Sequence, residues 1–300
     1  MTPDQVVGSV SALWRFPVKS MKGESVGAVE VTPRGVVGDR AYALLDVETG
    51  KVASAKSVKR FPNLLACRAE FVASPRAGAE APPVRITLPD GIVVASDAGD
   101  ANQRLSAFFG REVAIIRSAP EDFTIDQYHP DVEHADPGGY RDTVVEARIG
   151  SALFAQAGQP SPVPVGAFFD VFPMSVMTTA TLARLNHLRP ETRFDARRFR
   201  MNVIVDVAGA DFVENGWLDR TLALGGQARL GVSIPDPRCV MTTLAQDDLP
   251  GDTEVLRTLV QHNRLEVGAM GRFPCAGVYA VVAASGTIAV GDPVTLLATT

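Results

Sequence analysis

Three cysteines, Cys67, Cys239 and Cys275, supply the thiols of this 300-residue chain. They are odd in number and widely spaced, with no Cys-x-x-Cys pair and no nearby histidine to make a zinc or iron–sulfur pattern. Each is therefore read as a reduced thiol. Cys239 has the distinctive setting, Pro235-Asp236-Pro237-Arg238-Cys239-Val240-Met241-Thr242-Thr243. Its two prolines bar a continuous helix or central strand, so the thiol is presented from a rigid loop or strand edge. A thiolate is the form that ligates a soft metal or attacks an electrophile, and the cation of Arg238 favours it. Taken alone, a cysteine beside an arginine fits an inert buried thiol better than a reactive one. Cys67, in the apolar run Leu64-Leu65-Ala66-Cys67, reads as core.

Three further clusters set cations beside small or turn-forming residues. They are Phe16-Pro17-Val18-Lys19-Ser20 with Gly23, Gly35-Val36-Val37-Gly38-Asp39-Arg40, and Arg197-Arg198-Phe199-Arg200-Met201-Asn202. Lys19 and Ser20 follow a predicted strand end and precede Gly23, an arrangement that lets amides and a hydroxyl approach a phosphate. Strand alternation predicts that Arg198, Arg200 and Asn202 share one face, which can hold an anion. Thr178 and Thr179, near the start of a predicted helix, add hydroxyls and free amides. Any one cluster fits a solvated cation or an ion pair; their joint occurrence fits an anion site better. His129 and His134 share an acidic stretch with Asp126, Asp131, Glu133 and Asp136, which reads as a flexible surface loop rather than a metal site.

The elements that must position these groups are mostly strands. Short β-like runs fill the first 120 residues, over 6–18, 26–31 and 41–46, with a hairpin at Pro89-Asp90-Gly91. One helix stands out there, over 98–109, with Asp97 as N-cap and Gly110 as its stop. Residues 119–139 are rich in Pro, Gly and charge and read as a long exposed connection, which places a domain boundary. Beyond it come helices over 179–188 and 253–263, a strand over 203–207, and a closing β-meander over 278–297. The fold class is α+β and strand-rich. With 29 Lys and Arg against 34 Asp and Glu, the net charge of −5 disfavours nucleic acid and anionic membrane as general partners. No apolar stretch is long enough for a spanning helix and the start lacks a secretory profile, so a cytoplasmic protein is expected.

Six ordered blocks carry a family resemblance: Pro17-Val18-Lys19-Ser20-Met21-Lys22-Gly23, Gly38-Asp39-Arg40, Arg60-Phe61-Pro62-Asn63-Leu64, Met177-Thr178-Thr179-Ala180-Thr181-Leu182, Arg198-Phe199-Arg200-Met201-Asn202-Val203 and Arg238-Cys239-Val240-Met241-Thr242-Thr243. Through them the chain resembles, over nearly its whole length, the MOSC (molybdenum-cofactor sulfurase C-terminal) proteins that also carry an N-terminal β-barrel domain. Within that family it is most similar to the mitochondrial amidoxime-reducing component and its bacterial relatives. The resemblance implies a small N-terminal β-barrel-like domain over 5–120 and a MOSC β-barrel domain with peripheral helices over 121–300. It implies a molybdenum cofactor, with Cys239 as metal ligand and catalytic centre, and with Lys19, Ser20, Arg40, Thr178, Thr179, Arg200, Asn202 and Arg238 around the pterin and its phosphate. The implied activity is reduction of N-hydroxylated small molecules; the alternative is sulfur transfer or cofactor carriage through a Cys239 persulfide. The four-cysteine pattern of a ferredoxin module is absent, so a separate electron-donor protein, a ferredoxin- or flavoprotein-type reductase, is expected. One departure is Met201, where these relatives have proline between the arginine and the asparagine. Trp217 matches a family tryptophan that packing explains.

Overall fold

Valine-rich strands with one buried face dictate a closed barrel. In the computed structural model, which describes residues 3–298, seven strands close into a ring. In order around it they are Met174–Thr178, Val203–Asp206, Gln5–Arg15, Pro293–Leu296, Thr221–Leu224, Ala228–Pro237 and Arg272–Ala284. The ring closes because Arg272–Ala284 also pairs antiparallel with Met174–Thr178. Branched side chains such as Val10, Val176, Val205, Val232, Val278 and Val294 fill its interior, as expected for strands whose inward face is fully dry. Trp217 packs into the same core.

The expected boundary near residue 120 divides the sequence but not the hydrogen bonding. Gln5–Arg15 lies between Val203–Asp206 and Pro293–Leu296, and Ala28–Thr32 pairs with Gly286–Ala289. The first strands thus belong to the C-terminal barrel. A second core gathers Tyr42, Leu44, Phe61, Leu64, Ile86 and Leu105, under two small sheets and one helix. The predicted hairpin is there, Val84–Thr87 against Val93–Ala95, with Gly91 at a positive φ of 86°. The helix runs Ala101–Phe109 and stops at left-handed Gly110; its N-cap is Asp100, three residues later than Asp97.

The long connection is corrected by the structure. Residues 119–139 contain the strand Thr124–His129, which pairs in register with Thr143–Arg148. Phe123 and Ile125 are fully buried, and the Phe123 ring meets Phe168 edge-on at 6.0 Å. The polar residues that masked this strand are themselves paired: Asp126 binds Lys51 at 2.6 Å and Arg60 at 2.9 Å. The helices Thr179–Leu188 and Glu254–His262 follow expectation. Among the described residues, no helix is long and apolar enough to cross a membrane.

Candidate functional site

Local backbone pairing brings the first two cations together. Lys19 N donates to Tyr42 O at 2.8 Å, Tyr42 N to Pro17 O at 3.0 Å, and Arg40 N to Phe16 O at 2.7 Å. Asp39, buried at the joint, accepts from Phe16 N at 2.6 Å and from Asn202 Nδ2 at 2.9 Å, and pairs with Arg40. One carboxylate therefore ties three of the sequence blocks to each other. Ser20, Arg40 and Arg200 all adopt left-handed backbone, with φ of 66°, 49° and 56°. Non-glycine residues held there store strain, and such strain gathers at ligand clamps.

Arg200 arrives by that turn, not by strand alternation. Residues Ala196–Arg198 form a short 3₁₀ turn, and the barrel strand starts only at Val203. Arg198, 1% exposed, is spent on the carbonyls of Arg193, Thr242, Leu244 and Pro250. Arg200 donates to Met21 O at 2.6 Å and stacks over Phe16 at 4.3 Å. Among the described residues it makes no ion pair, so a partly buried guanidinium is left without a direct ion-pair partner. Burial, and then repulsion from Arg40, lower its pKa to about 9. Met201 fills space that Gly277 leaves; a Cβ on that glycine would lie 2.2 Å from Met201 Cε.

Cys239 sits just past the end of the barrel strand Ala228–Pro237, beside the short 3₁₀ turn Val240–Thr243. It is the partly exposed thiol; Cys67 and Cys275 are buried, and burial pushes both of those thiols up to about 12. Cys239 lines a cavity of about 350 Å³ together with Lys19, Ser20, Arg40, Arg200, Asn202 and Arg238. Seven Lys and Arg residues line this cavity against three Asp. Asp170 holds two of the cations: it pairs with Lys19, and its Oδ2 lies 2.8 Å from Lys56 Nζ. Burial opposes the charge on each member. It brings Lys19 down to about 8, whereas the two lysines together hold Asp170 well below the usual carboxylate range. For Lys56, burial is outweighed by Asp170 and then by the Cys239 sulfur, and its pKa rises.

Two buried polar atoms here lack a partner. Asp236, 2% exposed, pairs with Arg238, yet its Oδ1 and the Arg238 Nε are both unmatched among the described residues. Burial raises the Asp236 pKa to about 6 despite Arg238. Both residues line the cation-rich cavity; the orphaned Arg238 donor is one an anionic group can satisfy, whereas Asp236 Oδ1 calls for a donor. The residues present therefore fit a phosphate-bearing heterocycle whose soft metal meets a thiolate.

Two expected site residues lie elsewhere. Thr178 caps its own helix, accepting from Thr181 N at 3.1 Å, and donates to buried Glu214 at 2.7 Å. Thr179 donates to Asp206 at 2.9 Å. Neither lines the cavity; strand and helix meet there, and the hydroxyls serve that junction. Lys56, Asp170, Asp236 and Tyr279 do line it, though sequence reasoning missed them. A buried carboxylate in Pro235-Asp236-Pro237 was legible as unusual; Lys56 and Asp170 carried no local signal. His134 is exposed, and no group of three His, Cys, Asp or Glu residues among those described is set to hold a metal.

Comparison with known proteins adds the family. The MOSC N-terminal beta barrel domain family matches residues 7–112 and the MOSC domain family matches residues 165–295. Mitochondrial amidoxime-reducing component 1 of Mus musculus is 28% identical over 314 residues, covering 98% of this chain and 83% of that protein. Mitochondrial amidoxime reducing component 2 of Bos taurus is 26% identical over 307 residues, covering 97% and 83%. The solved YUAD protein from Bacillus subtilis aligns over 100% of both chains at a TM-score of 0.44 and 9% identity, too distant to carry an argument. With both domains present in order, the chain belongs to the MOSC-domain proteins that carry a MOSC N-terminal β-barrel domain, a molybdenum-cofactor-related family.

Proposed function

We propose that this chain is a molybdenum-cofactor-dependent oxidoreductase that reduces N-hydroxylated compounds, with Cys239 as the protein ligand to the metal. The observation that carries the reading is the meeting, in one cavity, of the partly exposed thiol and a partly buried guanidinium, Arg200, that has no ion-pair partner among the described residues. The printed names of the relatives, amidoxime-reducing components, supply the substrate class. When bound, the cofactor would supply a sulfur-ligated metal able to accept an oxygen atom.

Everything else falls to this chain's own side chains. Arg40 and Arg200 meet the phosphate as cations, with Ser20 adding its hydroxyl and Lys19 its ammonium. Arg238, held by its pair with Asp236, adds a further cation beside the ring. Lys56 and Arg238 stabilise the thiolate that Cys239 must present. Oxygen removal takes R–NHOH, two electrons and two protons to R–NH₂ and water, and the electrons come from a separate redox protein of ferredoxin or flavoprotein type. The test is reduction of an amidoxime by protein from a host that makes the cofactor, using a chemical reductant. Turnover dependent on metal and on Cys239 supports the reading. A persulfide on Cys239, seen as one added sulfur by mass and transferable without molybdenum, would favour sulfur carriage instead.

A further inference from the structure

Oxygen removal from an N-hydroxyl group consumes two protons, one of which leaves with the oxygen as water. The cation wall is poorly suited to supply it. Lys19 and Lys56 are tied to Asp170, the guanidiniums do not give up protons at ordinary pH, and burial carries the Tyr279 hydroxyl well above its usual range. The strand Thr124–His129 brings a different group to the cavity. His129 ends the strand Thr124–His129 and lines the same cavity as Cys239, with only 8% of its surface exposed. Its Nδ1 lies 3.5 Å from Asp136 Oδ2, and its ring meets Tyr140 at 5.2 Å. The contact of its Nε2 is one long approach, 3.4 Å, from the Gln127 amide. One nitrogen thus lies beside a carboxylate while the other can meet a ligand, the arrangement of a general acid. Apolar and aromatic neighbours in the cavity, Leu153, Phe172, Met270 and Phe273, suit a flat substrate body.

We propose, resting on the reductase reading above, that His129 donates the proton that leaves with the substrate hydroxyl, oriented by Asp136 and backed by Tyr140. The imidazolium gives its Nε2 proton to the hydroxyl oxygen as the N–O bond breaks and water leaves; the two electrons come from the redox partner, a second proton from solvent completes the amine nitrogen, and solvent returns the proton to the ring. The titratable and charged groups facing His129 are Asp136 and Tyr140 from its own loop and Lys56 from the neighbouring segment. Burial lowers its pKa below the usual 6.5, Asp136 opposes that, and Lys56 adds to it. Activity should accordingly fall as pH rises through that lowered value.

The test uses benzamidoxime as probe with reduced viologen as electron source. His129→Gln is expected to keep the parent's molybdenum and pterin content, to lose about 100-fold in kcat, and to lose the descending pH limb. Asp136→Asn should retain the limb but move it to lower pH. Independently of turnover, the His129 imidazole resonance should titrate below 6.5 in the parent and lower still in Asp136→Asn. It should also shift when benzamidoxime is added. If the parent reduces benzamidoxime and His129→Gln keeps the same pH limb, at whatever rate, His129 is not the donor. If the loaded parent reduces nothing, the reductase reading falls and this assignment falls with it.

Discussion

The two walls of the cavity are built by different means. The cation wall rests on short-range backbone: three left-handed residues, Ser20, Arg40 and Arg200, turn their side chains inward, and Asp39 ties their segments together. The second wall rests on tertiary pairing: Thr124–His129 is held by its partner strand, by Phe123 against Phe168, and by Asp126 against Lys51 and Arg60. Turn residues and clustered charge announce the first kind of wall in a sequence. The second kind depends on partners far along the chain. The seam between them is Asp170, which holds Lys19 and Lys56 through its side chain and receives Gly150 N on its backbone at 2.7 Å.

Breaking each part should give a distinct signature. The largest effect is expected from Cys239→Ser, which removes the thiolate donor and nothing else from the cation wall. Amidoxime reduction should fall at least about 100-fold while pterin, measured by fluorescence after release, stays bound. Next is Asp170→Asn, which leaves buried Lys19 and partly buried Lys56 short of their countercharge. Denaturant unfolding should report a loss of about 3–5 kcal/mol at pH 7. Asp170 has its folded pKa held below the unfolded value, so its stabilisation is complete above the usual carboxylate range and is lost as pH falls below it. The variant should accordingly lose less stability than the parent on acidification from pH 5 to 2.

Smaller changes sharpen the comparison. Arg200→Ala should weaken cofactor retention about 10-fold or more, the equivalent of about 1.5–3 kcal/mol for a charge-assisted contact. Arg193→Ala, at a half-exposed residue paired with Asp248, should not. Equal retention in the two variants would remove the phosphate site from Arg200. The smallest effect is at Thr178→Val, which takes a hydroxyl from buried Glu214 and a cap from its helix. It should cost about 1–2 kcal/mol of stability, read by denaturant midpoint, with molybdenum content unchanged. A loss of cofactor there would restore Thr178 to the site.

The sequence made much of the first wall legible. Lys19, Ser20, Arg40, Arg200, Asn202, Arg238 and Cys239 were all named from residue type and spacing or from the family blocks, and all line one cavity. The reason offered for Arg200 was wrong, because a left-handed turn and not strand alternation points it inward. Thr178 and Thr179 misled because a helix start offers the same hydroxyls and amides to a neighbouring carboxylate as to a phosphate. The second wall reads as a loop in the sequence, since its strand carries Asp126 and Gln127 among its apolar residues and its pairing partner begins 14 residues beyond its own end. Nothing local marks Gln5–Arg15 as a strand of the C-terminal barrel either; its alternation says only that one face is dry.

The central claim is that Cys239 and the cation wall hold a molybdenum cofactor. The most direct measurement is metal and pterin analysis of the parent and Cys239→Ser, both purified from a host that makes the cofactor, with X-ray absorption at the metal edge. The account predicts about one molybdenum and one pterin per parent chain, and one fewer sulfur ligand around the metal in the variant. Molybdenum far below one equivalent in the parent, or an unchanged sulfur shell in Cys239→Ser, would contradict it.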